Sequence, residues 1–343
     1  MLSPLSALTA SVAARKRRRI AALPPPQPPV VVIGNLVAGG SGKTPLLAAL
    51  AEALRRGGWR IGIIANGYGG RRRDARLVGP YDDPAEHGDE AVLLAQLTGL
   101  PLAAARRRDE ALALLRSTHP ELQLVLSDDG LQHAWLPRSV ELAVFDARGA
   151  GNGRLLPAGP LREPLAHAAD MDALLLNGDA APPLPHPRCF RFHVEPVRFV
   201  PVAVTPGAAA AGAAAAGVAA AGAAVAGAAA YAVRTAIAPH DFAQLAADRG
   251  LLAVAGIGAP QRFFDTLHGL GLNPRCVALP DHAPLDAAML AAAPEPLIVM
   301  TAKDAVKCRH LADDRCWALE VRAVLDPAFI DWLIGTLRGR TLA

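Results

Sequence analysis

A glycine-rich segment near the N-terminus constrains the fold of this chain more than any other stretch. Residues 30–33 are apolar and β-branched, residues 34–42 are rich in glycine, and Lys43 and Thr44 precede an Ala/Leu-rich helical pattern. Glycines let successive backbone N–H groups point at one anion, and a helix N-terminus adds partial positive charge. In such a loop Lys43 reaches the β/γ-phosphates and Thr44 holds Mg²⁺. The predicted nucleotide-binding residues of this P-loop are Gly39, Gly40, Ser41, Gly42, Lys43 and Thr44.

One position departs from the usual P-loop pattern. Val37 stands where that pattern has a glycine, five residues before Gly42. An ordinary glycine-rich turn between a strand and a helix is therefore the alternative interpretation. The P-loop is favoured because Gly42-Lys43-Thr44 falls at the junction of strand and helix, where the motif requires it.

The rest of the first half alternates strand and helix patterns. Helical patterns span 45–56 and about 89–97, and this alternation predicts a parallel sheet flanked by helices, as in P-loop NTPases. One apolar strand runs directly into Asp128 and Asp129, and an acid in that place orders Mg²⁺ and its water in such enzymes. The predicted strands are 60–65, 122–126, 141–146 and 171–176.

Composition limits the class of protein. A chain of 343 residues suffices for about two domains with their own cores. Its four cysteines are scattered without CxxC spacing, which argues against a disulfide framework and a zinc site. The formal net charge is only +4, and much of it comes from a basic run near the N-terminus. This argues against a nucleic-acid-binding surface and for a local anionic partner, and nothing implies a protein partner.

The N-terminal segment 2–19 is predicted to be a helix on a membrane surface. Leu5, Leu8 and Val12 fall on one helical face together with Leu2, and residues 15–19 are all basic. The apolar part is too short to cross a bilayer, and its charges follow the apolar stretch, unlike those of an export signal. An apolar face with a basic cluster suits an anionic leaflet. The alternative is a solvated tail with a charge run.

The second half begins with a low-complexity stretch. Residues 207–230 are almost purely Ala and Gly, which predicts a surface insertion and not a membrane span. Strand patterns at 251–255 and 297–300 and a helix from Gln261 then indicate a further α/β region without a second P-loop. The predicted domains are a membrane helix at 1–20, a P-loop domain at 30–195, an insertion at 196–235 and a smaller α/β domain at 236–343.

In this order, the motifs resemble those of the tetraacyldisaccharide 4′-kinase family of lipid A biosynthesis. The resemblance covers nearly the whole chain except the Ala/Gly stretch, and the family also lacks glycine at the place of Val37. The matching segments are Gly34-Asn35-Leu36, Gly39-Gly40-Ser41-Gly42-Lys43-Thr44-Pro45, Gly67-Tyr68-Gly69-Gly70, Gly88-Asp89-Glu90, Asp128-Asp129-Gly130-Leu131-Gln132-His133, the run from Leu155 to Glu163, Ala255-Gly256-Ile257-Gly258, Asp281-His282 and Lys303-Asp304-Ala305-Val306-Lys307.

The resemblance implies transfer of the ATP γ-phosphate to the 4′-hydroxyl of a tetraacyldisaccharide 1-phosphate, giving lipid IVA. The enzyme would be peripheral, on the cytoplasmic face of the bacterial inner membrane, with ATP and Mg²⁺ as cofactors. An Asp–His pair, Asp89 and His282, would accept the hydroxyl proton beside Lys43, in a cleft closed by the second domain. The implied metal ligands are Thr44, Asp129, Asp128 and Glu90, and the implied substrate-binding residues are Tyr68, Gln132, Asn152 and Arg162.

Simpler interpretations of these residues stay open. Asp89 and Glu90 could merely cap a helix, and His282 could be a locally satisfied loop histidine. The chain also departs from the family at Asn66, where an arginine is usual, and residues 71–73 could supply the missing guanidinium. Ala302 replaces a usual glutamate and Leu131 a usual phenylalanine. The alternative functions are a P-loop kinase of a soluble metabolite and a nucleotide-switched membrane adaptor, although Ala302-Lys303-Asp304 lacks the Asn of a guanine-binding motif.

Overall fold

The computed structural model describes residues 3–202, 235–281, 283 and 285–341. The chain forms two compact units: the first comprises Met1–Glu195 and Val321–Ala343, and the second comprises Pro196–Glu320. The predicted Ala/Gly stretch 207–230 and His282 lie outside the described residues.

The elements of the first unit follow one another in the predicted alternation. They are α1 (Ser3–Ala21), β1 (Val30–Gly34), α2 (Lys43–Arg56), β2 (Ile61–Ala65), β3 (Arg76–Leu77), α3 (Pro84–His87), α4 (Asp89–Thr98), β4 (Leu102–Ala104), α5 (Arg108–Thr118), β5 (Leu124–Asp128), β6 (Val140–Phe145), a 3₁₀ helix (Leu165–Asp170), β7 (Ala173–Asn177) and the first part of β8 (Cys189–Pro201).

The sheet of the first unit has the strand order β8-β7-β6-β1-β5-β2-β4-β3. Every neighbouring pair is parallel except β3 with β4. All five residues of β1 are buried, as expected for a central parallel strand covered on both faces. Because parallel strands end at one edge of the sheet, the segments after β1, β5, β6 and β7 meet there. The predicted parallel α/β fold is confirmed.

Two predicted boundaries near the nucleotide loop are wrong by two residues. Helix α2 begins at Lys43 and not at residue 45, because Gly42 takes a left-handed φ of 87° and turns the chain directly into the helix. Strand β5 covers Leu124–Asp128 and not 122–126, since its pairing with β1 continues as far as Asp128 opposite Ile33. Asp128 is therefore a strand residue, whereas Asp129 begins the loop.

The second unit is built around its own parallel sheet. Its elements are α6 (Pro239–Ala246), β9 (Leu251–Ala255), α7 (Pro260–Gly269), β10 (Arg275–Ala278), α8 (Ala287–Ala292), β11 (Leu297–Thr301), α9 (Ala302–Cys308) and the first part of β12 (Cys316–Leu325). The strand order is β10-β9-β11-β12, and the pairs are parallel. Stacked Phe199 and Phe242, with ring centroids 3.8 Å apart, and Trp317 form part of its core.

The C-terminal helix α10 (Pro327–Thr341) belongs to the first unit. The sequence prediction grouped it with the second domain, as part of 236–343. Its Phe329 and Trp332 pack on Phe190, which follows β7 in the chain, and Arg340 pairs with Asp172 at 2.5 Å. These contacts connect segments about 140 to 170 residues apart, and no local pattern reveals them.

Helix α1 packs one of its sides on the first unit. Ala13 is buried there, and the Ser6 and Thr9 hydroxyls donate to the carbonyls of residues 155 and 156 at 3.1 and 2.9 Å. An adjacent side exposes Leu5, Leu8 and Val12, which share one face as the helical spacing predicts. No helix among the described residues is long and apolar enough to cross a bilayer.

Two residues of the basic run contact the protein, unlike the sequence expectation. The run 15–19 was expected to face an anionic surface, but the Arg19 guanidinium lies over the Trp135 ring and Arg17 turns inward. Its guanidinium contacts both Glu141 carboxylate oxygens at 2.7 Å, and only 16% of its side chain is exposed. Position 17 lies on the packed side of the helix because it follows Ala13 by one turn.

Candidate functional site

The loop between β1 and α2 has the backbone geometry of an anion-binding cradle. Gly39 and Gly42 adopt φ values of 100° and 87°, which favour glycine strongly. The buried Asn35 amide donates to the Gly39 carbonyl at 3.1 Å, and the Asn177 amide at the end of β7 donates to the Ser41 carbonyl at 3.1 Å. Because these carbonyls are held from the protein side, the loop N–H groups are free to face an anion.

Arg148 supports the same loop from the end of β6. Its guanidinium is held by the buried Asp146 carboxylate at 2.9 to 3.1 Å and donates to the Ala38 and Gly40 carbonyls at 3.3 and 2.8 Å. A Cβ atom on Gly39 would lie 2.7 Å from this guanidinium, so the glycine is needed for close approach. Arg148 therefore braces the loop and lines its rim.

Positive and negative side chains converge where α2 begins. Lys43 Nζ lies 3.5 Å from Asp129 Oδ1, and Arg162 donates to Asp129 Oδ2 at 2.8 Å. Burial raises the pKa of Asp129, but Lys43 and Arg162 outweigh it and hold that pKa below its ordinary value. Asp129 adopts a φ of 48°, which is uncommon for a residue other than glycine. Its strained backbone turns the carboxylate back towards the nucleotide loop.

Asp128 has the opposite electrostatic character. Burial and the neighbouring charges of Glu90 and Asp129 raise its pKa to about 7. Arg108 lies beneath it: the guanidinium is buried, donates to the Asp128 carbonyl at 2.6 Å, and has its pKa lowered by burial to about 10. Three acids crowded in this way repel each other, so a bound cation would stabilise them.

The carboxylates of Glu90, Asp128 and Asp129 are chemically suited to bind a magnesium ion. Buried Oδ1 atoms of Asp128 and Asp129 accept no hydrogen bond from the described residues, so oxygen lone pairs remain for a cation. No group of three or more His, Cys, Asp or Glu side chains within the described part of the chain is arranged to hold a metal by itself. Mg²⁺ in kinases is usually held by one or two carboxylates together with substrate phosphates, so the residues present fit the ion.

Asp89 is placed by a close contact between two glycine-rich loops. It begins α4, is 5% exposed, and accepts the Glu90 backbone N–H at 2.9 Å. Directly before it, Gly88 has a φ of 92°, and a Cβ there would meet the Tyr68 carbonyl at 2.6 Å. The buried Arg76 guanidinium donates to the Glu86 and His87 carbonyls. The motifs at 67–70 and 88–90, separate in sequence, thus form one structure.

Gln132 and Arg162 join the Asp129 side of the site. The Gln132 amide donates to Glu163 Oε1 at 2.7 Å, and its oxygen lies 3.4 Å from the Arg162 guanidinium. His133 follows in the same loop; burial and the nearby Arg108 lower its pKa to about 3, so its ring is neutral at neutral pH. This part of the site is held by side chains and not by backbone alone.

The predicted site residues fall into three groups. The structure brings Lys43, Asp128 and Asp129 together with Arg162 and Gln132, as described above. Two predicted substrate-binding residues stand apart: Tyr68 is 61% exposed, and the Asn152 side chain is occupied in its own loop, bonding Ala158 and Arg154 at 3.1 Å. His282 lies outside the described residues, so its pairing with Asp89 stays a prediction.

Two of the three suggested replacements for the arginine missing at position 66 are engaged elsewhere. Arg71 pairs with Glu86 of α3 at 3.1 Å with 74% of its side chain exposed, and Arg72 pairs with Asp74 of its own loop at 2.8 Å. Both side chains therefore sit in surface ion pairs.

Sequence reasoning missed several residues of the site. Each stands at the carboxyl end of a strand, in the following loop or, for Arg108, at the start of the next helix, and that position was the available signal. Their roles depend on contacts between segments up to 136 residues apart, as for Asn177 with Ser41. These missed residues are Asn35, Arg108, Asp146, Arg148, Glu163 and Asn177.

Comparisons with known proteins point to one family. A family model described as tetraacyldisaccharide-1-P 4′-kinase (LpxK) matches residues 1–338. A tetraacyldisaccharide 4′-kinase of Dechloromonas aromatica is 42% identical, over 90% of this chain and 84% of that protein. Another of Bordetella petrii is 41% identical, over 100% of this chain and 93% of its own length.

A solved structure shares the fold. The crystal structure of LpxK from Aquifex aeolicus in complex with ATP superposes with a TM-score of 0.71, is 23% identical, and covers 98% of both chains. At that identity the likeness concerns the fold, whereas the family model and the relatives above 40% identity concern the family. The nucleotide loop, the acids after β5 and these matches together show that the chain belongs to the tetraacyldisaccharide 4′-kinase family.

Proposed function

We propose that this chain is an ATP-dependent kinase that phosphorylates the 4′-hydroxyl of tetraacyldisaccharide 1-phosphate, forming lipid IVA in lipid A biosynthesis. One observation carries the proposal most directly. At the first turn of the helix that follows the nucleotide loop, the Asp129 carboxylate lies 3.5 Å from Lys43 Nζ and 2.8 Å from the Arg162 guanidinium. Phosphoryl transfer depends on positioning and charge neutralisation, which such a cluster supplies.

The donor half of the reaction belongs to the nucleotide loop. The N–H groups of residues 39–44 bind the ATP phosphates, and Lys43 neutralises charge on the transferred group. Arg148 and Asn177 keep the loop carbonyls turned away from the nucleotide. Arg162, held against Asp129, supplies a second cation at the acceptor side of the γ-phosphate. A positioned guanidinium stabilises the charge that develops in transfer.

Thr44, Asp128 and Asp129, with Glu90 nearby, would hold Mg²⁺. A bound ion would neutralise charge on the phosphates. Asp128, whose pKa is about 7 in the ligand-free chain, would be kept ionised by the positive charge of the ion.

Asp89 serves as the group that accepts the proton of the 4′-hydroxyl. Its carboxylate is buried, is oriented by the Glu90 N–H, and begins a helix whose N-terminus favours the negative charge. His282 would hold this carboxylate through an imidazole and spread the charge after proton transfer. Tyr68 lies on the loop that packs against Gly88, directly before this acid, and would contact the sugar. Gln132 and Asn152 would do so from their own loops.

The enzyme is proposed to work on the cytoplasmic face of the inner membrane. Leu5, Leu8 and Val12 are 52%, 62% and 46% exposed on the outer side of α1, and the exposed Arg15 continues the same stripe. Apolar side chains on such a helix insert at the headgroup level and arginines attract anionic lipids. The substrate is held in that leaflet by its acyl chains.

The catalytic proposal is tested with labelled ATP and the disaccharide lipid in detergent. Asp89→Asn should reduce turnover by about a hundredfold or more, because general base catalysis contributes about 10²–10⁴, while ATP affinity stays near that of the parent. Asp241→Asn, which changes an exposed first-turn acid of α6 in the second unit, is the matched control and should keep full turnover. Normal turnover of Asp89→Asn would refute the base assignment. Turnover that does not depend on the lipid would favour a soluble metabolite or an adaptor.

The membrane proposal is tested by sedimentation with vesicles that contain anionic phospholipid. Leu8→Asp should shift the protein into the supernatant, because a charge replaces an inserted apolar side chain. Leu97→Asp, which changes a leucine 41% exposed on α4, should leave vesicle binding unchanged. Equal binding by both variants would show that the contact with lipid lies elsewhere.

A further inference from the structure

Arg17 links helix α1 to the interior of the first unit. Its guanidinium lies against Glu141 at 2.7 Å and its Nε lies 3.5 Å from Glu163 Oε2. Glu163 is almost fully buried, and the Nδ1 atom of the His167 ring lies 3.0 Å from its carboxylate. Glu141 also contacts Arg138 at 2.8 Å, so that acid keeps an arginine without Arg17. Removing Arg17 would therefore deprive mainly Glu163 of a nearby positive charge.

Glu163 connects Arg17 to the residues on the substrate side of the site. Its Oε1 atom accepts the Gln132 amide at 2.7 Å, and the Gln132 oxygen faces the Arg162 guanidinium at 3.4 Å. Arg162 in turn holds Asp129, which contacts Lys43. A continuous series of polar contacts thus runs from the helix proposed to lie on the membrane to the nucleotide loop.

The physical consequence follows from the charge on Glu163. A buried carboxylate needs a cation or several hydrogen-bond donors. Without Arg17, Glu163 would draw on Gln132 and on the adjacent Arg162 more strongly. Arg162 would then be pulled from Asp129, and the cation beside the γ-phosphate would be misplaced. Misplacement by about 1 Å is enough to lower turnover considerably.

We propose that Arg17 is a positioning residue that couples the N-terminal helix to the Asp129–Arg162 pair through Glu163 and Gln132. It acts through these residues and does not touch the substrate. The inference rests on the proposed roles of Gln132 and Arg162. It assigns to one residue of the basic run a task within the site, whereas its neighbours Arg15 and Arg18 are exposed.

The test measures kcat and KM in detergent, where binding to a membrane is not needed. Arg17→Gln should lower kcat about tenfold, in the range seen when residues along a contact network are changed. The KM values and sedimentation with anionic vesicles should stay within about twofold of the parent. Arg17→Lys keeps a charge near Glu163 and should recover most of the turnover. Arg275→Gln, which removes a surface ion pair with Glu295 in the second unit, is the matched control and should keep full kcat.

A double-mutant cycle with Gln132→Ala separates coupling from a general loss of stability. If Arg17 acts through Gln132, Arg17→Gln should lower kcat by less than about twofold in the Gln132→Ala background. The same tenfold loss in both backgrounds, or normal turnover of Arg17→Gln, would overturn the proposal. If Gln132→Ala lowers kcat while Arg17→Gln has normal kcat, the coupling between Arg17 and Gln132 is refuted, whereas the proposed site is not. Loss of vesicle binding without loss of kcat in detergent would identify Arg17 as a lipid contact instead.

Discussion

Replacing Gly42 by alanine should destabilise the ligand-free protein, because two separate features of the structure oppose a side chain there. Gly42 has a φ of 87°, in the left-handed region that L-residues avoid. A Cβ atom at this position would lie 2.6 Å from the Asn177 amide nitrogen. That nitrogen donates to the Ser41 carbonyl at 3.1 Å, so its displacement also breaks a hydrogen bond of the nucleotide loop.

The expected loss can be worked out from these two terms. The left-handed backbone costs alanine about 1–2 kcal/mol. Loss of the Asn177 hydrogen bond costs about 1 kcal/mol. The free energy of unfolding should therefore fall by about 2–3 kcal/mol. ATP binding should fall further, since the loop that holds the phosphates no longer has the correct shape.

Gly40 offers a matched control in the same loop. Its φ is outside the left-handed region, and a Cβ atom there would meet nothing within 4 Å. Gly40→Ala should therefore change the free energy of unfolding by less than about 1 kcal/mol. Urea unfolding of both variants without nucleotide, followed by fluorescence, gives the comparison. Equal destabilisation by the two substitutions would refute the reasoning.

A second pair of variants separates the two terms. Asn177→Ala removes the side chain that the new methyl group would strike. In that background, Gly42→Ala should cost only the backbone term of about 1–2 kcal/mol. An unchanged cost would mean that the contact with Asn177 contributes nothing.

Two further predictions concern the same end of the sheet. Arg148→Ala should raise the KM for ATP about tenfold, because the Ala38 and Gly40 carbonyls lose their hydrogen-bond donor. Arg148→Lys should recover little of this loss, since one ammonium group cannot contact both carbonyls and Asp146. Steady-state kinetics with varied ATP concentration checks both variants. The raised pKa of Asp128 means that the folded state holds this proton more tightly than the unfolded state, whose carboxyl titrates near 3.9. Its contribution to stability is therefore present below about pH 4 and lost as the pH rises to about 7. In urea unfolding of the ligand-free protein, the free energy of unfolding should decline over this range, and Asp128→Asn should flatten the decline. A parallel decline in both proteins would contradict the assignment.

The nucleotide loop could be predicted from sequence because its determinants are local. An apolar β-branched run, closely spaced glycines and Lys43-Thr44 lie within fifteen residues, and each acts on the backbone of its neighbours. The same holds for the acids after β5 and for the alternation of strands and helices. Boundaries shifted by two residues at α2 and β5, since pairing between strands and one left-handed glycine decide where an element starts and ends.

The roles of single side chains depended on the tertiary structure. The sequence identified Asp128 and Asp129 as a pair, but only burial and neighbouring charges show that one pKa is raised and the other lowered. Asn177 and Arg148 were not predicted, since each acts on a loop more than 100 residues away. Arg17 was grouped with a basic run because composition does not show which side of a helix is packed.

The chain's sequence by itself therefore determined the class of fold, the family and the place where a nucleotide binds, because short segments with strong local preferences encode them. Only the tertiary structure decided which side chains brace that place and how their charges are distributed. Sheet order brings the ends of β1, β5, β6 and β7 to one edge. Electrostatic energies at such an edge depend on distances of a few ångström between segments far apart in sequence, and these distances exist only in the folded chain.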